Sequence, residues 1–242
     1  MTININFLKE KFGKNLVINE SLSKYSWFNL GGPAKIFFRP ENKNQLKNFL
    51  SEIKIKNDQM HILGAGSNTL IRDAGFEGVI IKLGSKFSSV NLLNKETIEV
   101  GAATLDRKVS DFAKNNCISR MEFLSCIPGS IGGAITMNSG CYGTEISEIL
   151  LSIIVVDNLG QEKELSKKEI NFFYRGSDLP KNHIIISAKL KGEIASKELI
   201  EKKQQELIER KKNSQPSKIK TGGSTFKNLS DKKAWMLIKE AG

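Results

Sequence analysis

The chain has 242 residues and a net charge of +11, from 37 Lys and Arg against 26 Asp and Glu, with 39% hydrophobic and 26% charged residues. That is ordinary globular composition, long enough for one or two domains, and it excludes a disordered, collagen-like or disulfide-framework chain. The basic residues are scattered, aromatics are only 7%, and no nucleic-acid motif is present, which argues against nucleic acid and leaves anionic small molecules or solvated lysine faces to account for the charge.

Cys117, Cys126 and Cys141 are an odd set with no CxxC spacing, and His61 and His183 stand far apart. Neither a zinc site nor a serine-histidine triad is expected, so no metal is assigned and the cysteines read as reduced core thiols. Acid-base chemistry falls to Ser, Tyr, Lys, Arg or Glu, or to a bound cofactor. The N-terminus MTININFLKEKFG lacks the apolar core of a signal peptide, and the run 149–156 is far too short to span a bilayer. A cytoplasmic chain with no membrane insertion is the expectation.

In chain order, 34–38 reads as a strand ended by Pro40, and Leu46, Phe49, Leu50 and Ile53 recur at helical spacing over 43–55. A short strand at 60–63 runs into Gly64, Ala65, Gly66, Ser67, Asn68 and Thr69. The dinucleotide fingerprint wants a third glycine where Thr69 stands, and a helix afterwards; 69–73 and 78–83 read instead as short strands. The loop is therefore a phosphate-loop candidate outside a Rossmann setting, a weak signal by itself.

A strand at 97–102 is followed by a helix on Leu105, Val109, Phe112 and Ala113. Next comes IPGSIGGAITMNSG at 127–140, with Pro128, Gly129, Ser130, Gly132, Gly133, Asn138 and Gly140. So little side chain lets backbone N–H groups approach a phosphate, and Pro128 suits the first turn of a helix whose start would favour a pyrophosphate. A glycine-rich structural turn into a buried helix fits the segment equally well.

Beyond it, 149–157 and 162–165 form a hairpin about a turn at 158–160, a short helix around 167–173 delivers Tyr174, Arg175 and Ser177, and 183–191 is a further strand. Composition changes at Gly192. A charged linking helix at 196–212 pairs Glu198 with Lys202 and Glu206 with Arg210, and TGGSTFKN precedes a last helix on Ala234, Leu237, Ile238 and Ala241.

Five motifs in this order, FNLGGPA (28–34), LGAGSN (63–68), IPGSIGGAITMNSGCYG (127–143), YRGS (174–177) and GGSTFKN (222–228), together resemble the UDP-N-acetylenolpyruvoylglucosamine reductase family. The resemblance runs from about residue 25 to residue 242. It implies an α+β fold in which a two-lobed FAD-binding domain of the vanillyl-alcohol-oxidase (PCMH) type at 25–192, with lobes of about 25–90 and 91–192, follows an N-terminal segment at 1–24. A smaller, incomplete α+β substrate-binding domain begins at 193–242.

The implied reaction is NADPH-dependent reduction of the enolpyruvyl group of a UDP sugar, UDP-N-acetylglucosamine-enolpyruvate, to UDP-N-acetylmuramate. That is a step of peptidoglycan synthesis serving cell shape and division. FAD would lie between residues 64–69 and the 127–140 stretch, NADPH would be the co-substrate, and the chain would be a monomer. By family match Arg175 and Ser224 are catalytic, as fixed cation and proton donor, and Tyr174, Gly223, Lys227 and Asn228 contact the substrate. From the residues alone, Arg175 fits a surface ion pair, Ser224 a turn hydroxyl and Tyr174 a core side chain.

The chain departs from the family at Leu229, where proline is usual, and at Cys126, where glycine is usual. The short interval from Arg175 to His183 places it in the branch without a tyrosine-bearing loop. The family's C-terminal catalytic glutamate has no counterpart, since Glu240 belongs to the last helix, so the chain reads as C-terminally short. Alternatives are another FAD oxidase on the same scaffold, or a non-catalytic flavin-binding remnant.

Overall fold

A computed structural model of the chain describes residues 4–53, 59–214, 226–229 and 232–242. The first lobe begins with α1 (Ile5–Phe12), whose N-cap Asn4 accepts from the Phe7 N–H and whose Leu8 and Phe12 are buried. β1 (Leu16–Ser21), β2 (Pro33–Phe38), α2 (Lys43–Glu52), β3 (Met60–Ile62) and β4 (Phe76–Ile81) follow. The sheet order is β1-β2-β4-β3, antiparallel at β1/β2 and parallel at β2/β4 and β4/β3. The central position of β4 explains its sequence: a strand with elements on both faces needs an unbroken apolar run, and Val79, Ile80 and Ile81 are all buried.

β1 falls inside residues 1–24, which sequence set apart as a separate segment, yet it pairs with β2 over Leu16 to Ser21. α2 forms where the spacing predicts it. Asn42 Oδ1 accepts from the Gln45 N–H at 2.9 Å while Gln45 Oε1 accepts from the Glu41 N–H at 2.7 Å, closing the first turn. The helix face of Leu46, Phe49 and Leu50 packs onto β2, with the Phe38 and Phe49 rings stacked at 3.8 Å.

The second lobe comprises β5 (Val90–Leu92), β6 (Thr97–Gly101), α3 (Asp106–Asn115), β7 (Ile118–Ser119), α4 (Ile131–Thr136), β8 (Gly140–Cys141), β9 (Thr144–Glu145), α5 (Ile146–Ile149), β10 (Leu150–Val156), β11 (Glu162–Ser166), β12 (Phe172–Phe173), β13 (Gly176–Ser177) and β14 (Ile184–Lys191). Its main sheet has the order β11-β10-β14-β6-β5. Asp157 Oδ1 accepts from Leu159 and Gln161 N–H groups, both at 2.8 Å, and so fixes the β10–β11 turn. Val156, Ile184 and Ile186 of this sheet join the core built by α1, α2 and β2, so the lobes share buried apolar surface.

Two expected elements differ. Residues 69–73 form no strand, because the backbone there binds the 31–32 segment instead: the Gly32 N–H donates to Arg72 O at 2.9 Å. The helix expected around 167–173 is only a three-residue 3-10 turn (Lys167–Glu169) closed by a Ser166/Glu169 capping box. The chain then makes the tight hairpin β12–β13, sealed where Asn171 donates through N–H and Nδ2 to the Asp178 carboxylate at 2.9 and 2.7 Å.

After β14, β15 (Glu193–Ile194) pairs with β7, and α6 (Lys197–Ser214) packs on α3 and on the 3-10 segment Glu122–Cys126. The expected pairs Glu198–Lys202 and Glu206–Arg210 are not among the ion pairs of the described residues. Instead Arg210 lies over the Tyr142 ring at 4.5 Å, and the buried Gln204 donates to Ser110 Oγ at 2.7 Å. α6 is thus a docked helix, not a free link. Cys117 is exposed, contrary to the core-thiol reading, while Cys126 is buried and all three thiols are free. The last helix is α7 (Ala234–Ala241). No helix of the described residues is long and apolar enough to cross a membrane.

Candidate flavin site

The loop 64–69 leaves the end of β3 where the Leu63 N–H donates to Ile81 O at 2.8 Å. Gly66 adopts φ +73°, its carbonyl accepts from the Trp27 N–H at 3.0 Å, and a Cβ there would overlap the Tyr25 carbonyl. Only glycine satisfies both the left-handed backbone and that close approach. Lys82, one residue past β4, donates to Gly64 O and lies 5.9 Å from the Tyr25 ring centroid. Burial first, then the Arg39 charge, lowers its pKa.

From the other lobe, a Cβ on Gly64 would stand 2.8 Å from Ser130 Oγ, and one on Gly133 would stand 3.7 Å from the same atom. The two glycine-rich stretches, distant in sequence, therefore meet at Ser130. Ser26 Oγ reaches Thr69 O at 3.4 Å, while Ala65 and Ser67 are half-buried and Asn68 is exposed. Backbone unobstructed by side chains, a cation and a hydroxyl suit a diphosphate.

The helix of the 127–140 stretch does not start at Pro128. Pro128 precedes the helix, which begins at Ile131, and the first two helical N–H groups are already used: Ile131 donates to Thr104 O at 3.0 Å and Gly132 to Ala102 O at 2.9 Å. What 127–140 offers an anion is thus the exposed backbone around Gly133 and the Ser130 hydroxyl, not the helix terminus. Asn138 is buried, its Nδ2 donating to Glu145 Oε2 at 2.6 Å and to Phe173 O at 3.4 Å. It ties the end of α4 to the β12–β13 hairpin, and Gly140 pairs with Glu145. Gly129 backs onto Asp106.

The same tie places the substrate candidates. Ser177 Oγ donates to Thr136 O at 3.0 Å. Arg175 occupies the hairpin turn at φ +59°, a backbone state uncommon for arginine, with its guanidinium 5.3 Å from the Tyr174 ring centroid. Tyr174 is 48% exposed, so it is not a core residue, and its Oη accepts from the Asn228 N–H at 3.5 Å. Asn228 Oδ1 in turn accepts from the Ala234 N–H at 3.1 Å. Lys227 is exposed. Gly223 and Ser224 lie outside the described residues.

Two residues went unnoticed in the sequence. Lys82 could have been found as the one charge ending a β-branched strand, on the face of Ile80. Asp106 carried no signal, since an acid at the start of a helix is commonplace. Here it is fully buried, and burial pushes its pKa up to about 8.

This two-lobed scaffold with a glycine-lined seam is that of a flavin-binding protein, and a family described as "FAD binding domain" matches residues 34–166. UDP-N-acetylenolpyruvoylglucosamine reductase of Pelagibacter ubique is 48% identical over 223 residues, covering 91% of this chain and 74% of the relative. That of Rickettsia massiliae is 41% identical over 222 residues, covering 92% and 75%. The crystal structure of the Thermus caldophilus reductase superposes with a TM-score of 0.81 at 31% identity, covering 94% of this chain and 79% of that one. The chain belongs to the UDP-N-acetylenolpyruvoylglucosamine reductase family.

The cradle at Gly64, Gly66 and Ser130 fits FAD. Gly66→Ala should accordingly cost about 2–5 kcal/mol, combining left-handed backbone strain with overlap. The expected result is a lower Tm and loss of bound flavin absorbance; a variant that keeps both would show that the Tyr25 contact does not shape the loop.

Proposed function

We propose that the chain is an FAD-containing oxidoreductase that reduces the enolpyruvyl group of UDP-N-acetylglucosamine-enolpyruvate to UDP-N-acetylmuramate, with NADPH as electron donor, in the cytoplasm and in the service of the peptidoglycan wall. Residues 25–192 hold the cofactor, and residues from 193 onward begin the substrate-binding part. The observation that carries this reading is the meeting of Gly64 with Ser130 across the lobes, in a chain 48% identical to a reductase of that name.

Held by these residues, FAD would supply the hydride-transfer chemistry between donor and substrate. The chain's own residues bind and orient. The backbone of Gly64, Gly66 and Gly133, the Ser130 hydroxyl and the Lys82 cation receive the diphosphate. Hydride addition to a double bond conjugated with a carboxylate moves negative charge onto that carboxylate, so a fixed cation facing it lowers the barrier. Arg175 has that role: its turn backbone and the Tyr174 ring restrict where the guanidinium goes. Tyr174, Lys227 and Asn228 hold the UDP sugar, and Ser224 supplies the proton to the carbon beside the carboxylate, a role open to a serine held close to its target.

The test is two half-reactions followed by flavin absorbance. NADPH should bleach the protein-bound flavin and the enolpyruvyl UDP sugar should restore the colour anaerobically. Restoration by oxygen alone, with no response to the UDP sugar, would overturn the substrate assignment.

A further inference from the structure

Asp106 opens α3 with both carboxyl oxygens buried and without a hydrogen-bond partner, the buried side-chain atoms of the described residues of which this holds. Its N–H donates to Gly129 O at 3.2 Å, and its Oδ2 stands 2.5 Å from where a Cβ on Gly129 would lie. The next residue, Ser130, bridges to Leu105 and carries the hydroxyl that meets Gly64. The carboxyl therefore sits directly behind the cofactor loop.

The charged groups of α3 and of the segments packed against it are engaged elsewhere. Arg107 faces Asp111 at 3.9 Å on α3, Lys114 faces Glu201 at 3.7 Å, and Glu122 faces Lys203 at 3.9 Å. Lys211 donates to the carbonyl of Cys126 at 2.7 Å, and Lys82 donates to Gly64 O within the first lobe. None hydrogen-bonds to Asp106, and burial alone accounts for its preference for the neutral form.

We propose that Asp106 is a proton-bearing positioning residue of the cofactor loop: FAD is held with its carboxyl neutral, and ionisation of that carboxyl releases the cofactor. This rests on the flavin reading above. A neutral carboxyl tolerates the buried position behind Gly129, whereas a carboxylate demands solvation, displaces the 129–130 backbone to obtain it, and repels the cofactor diphosphate. Binding of FAD to the ionised form takes one proton from solvent onto the carboxyl, and release returns it.

The experiment is FAD titration by fluorescence quenching from about pH 6.5 to about pH 9.5 at fixed ionic strength, with far-UV circular dichroism confirming the fold at each pH. The wild-type Kd should be flat at the acid end and rise at least about tenfold by the alkaline end. Asp106→Asn, isosteric and always neutral, should give a flat profile. A flat wild-type profile, or an Asp106→Asn profile that rises in parallel, overturns the proposal; the second outcome would assign the effect to Lys82. Calorimetry of wild type at about pH 8 in two buffers of different ionisation enthalpy should show net proton uptake on binding, and none would equally refute it. Failure to bind FAD at any pH would instead sink the flavin reading.

Discussion

Arg175→Met should slow substrate-dependent reoxidation of the reduced flavin by roughly two to three orders of magnitude while FAD remains bound, the usual consequence of removing one preorganised group that faces developing charge. Hairpin β12–β13 is clamped at its open end by Asn171 and Asp178 and at its flank by Ser177 on Thr136, so the turn at Arg175 cannot relax its φ of +59° without breaking those bonds. The Tyr174 ring lies beneath the guanidinium, adding cation–π attraction that favours one side-chain path.

Because the proposed flavin cradle uses other residues, the NADPH half-reaction and the flavin spectrum should be unchanged. Arg175→Lys should rescue only part of the loss, since an ammonium lacks the planar fork that receives a carboxylate bidentately. Stopped-flow absorbance separates the two half-reactions. Wild-type reoxidation in Arg175→Met would remove the residue from the chemistry.

What could be read from sequence divides along physical lines. α2, β4 and the β10–β11 hairpin follow from local periodicity and turn chemistry, and they stand where those signals place them. The strand wrongly expected at 69–73 has suitable residues, but a strand also needs a partner, and its nearest backbone is the 31–32 segment. The helix expected around 167–173 failed because Ser166 and Glu169 close a single turn, after which Phe172 and Phe173 pair across a hairpin.

The same distinction governs the site. Glycines at 64, 66 and 129 are visible in the sequence, but their partners are not, since Ser130, Tyr25 and Asp106 respectively reach them only through the fold. The anion site that sequence predicts at the start of α4 is absent for the same reason. Free N–H groups at a helix start are the default for a sequence considered locally, and here the carbonyls of Ala102 and Thr104 take them.

Asp106 also dictates how stability should depend on pH. In the unfolded chain its carboxyl ionises near its ordinary value of 3.8, whereas in the folded protein burial holds it protonated to about 8. Between those values the native state binds more protons than the unfolded state, so this residue's contribution falls as pH rises, by roughly 1.4 kcal/mol per pH unit, and levels off above about pH 8. Asp106→Asn removes that slope. Carboxyl and amide alike lie buried without partners, but the amide carries one more unpaired donor than the neutral carboxyl, a pH-independent difference of about 1–3 kcal/mol, so the variant should be less stable than wild type near pH 4. It should overtake wild type as pH climbs, leading it by a few kcal/mol near pH 8. Urea unfolding at a series of pH values reads this as two lines that cross. Parallel lines would mean that the carboxyl is ionised in the folded protein at neutral pH, and so has a partner or a water behind Gly129.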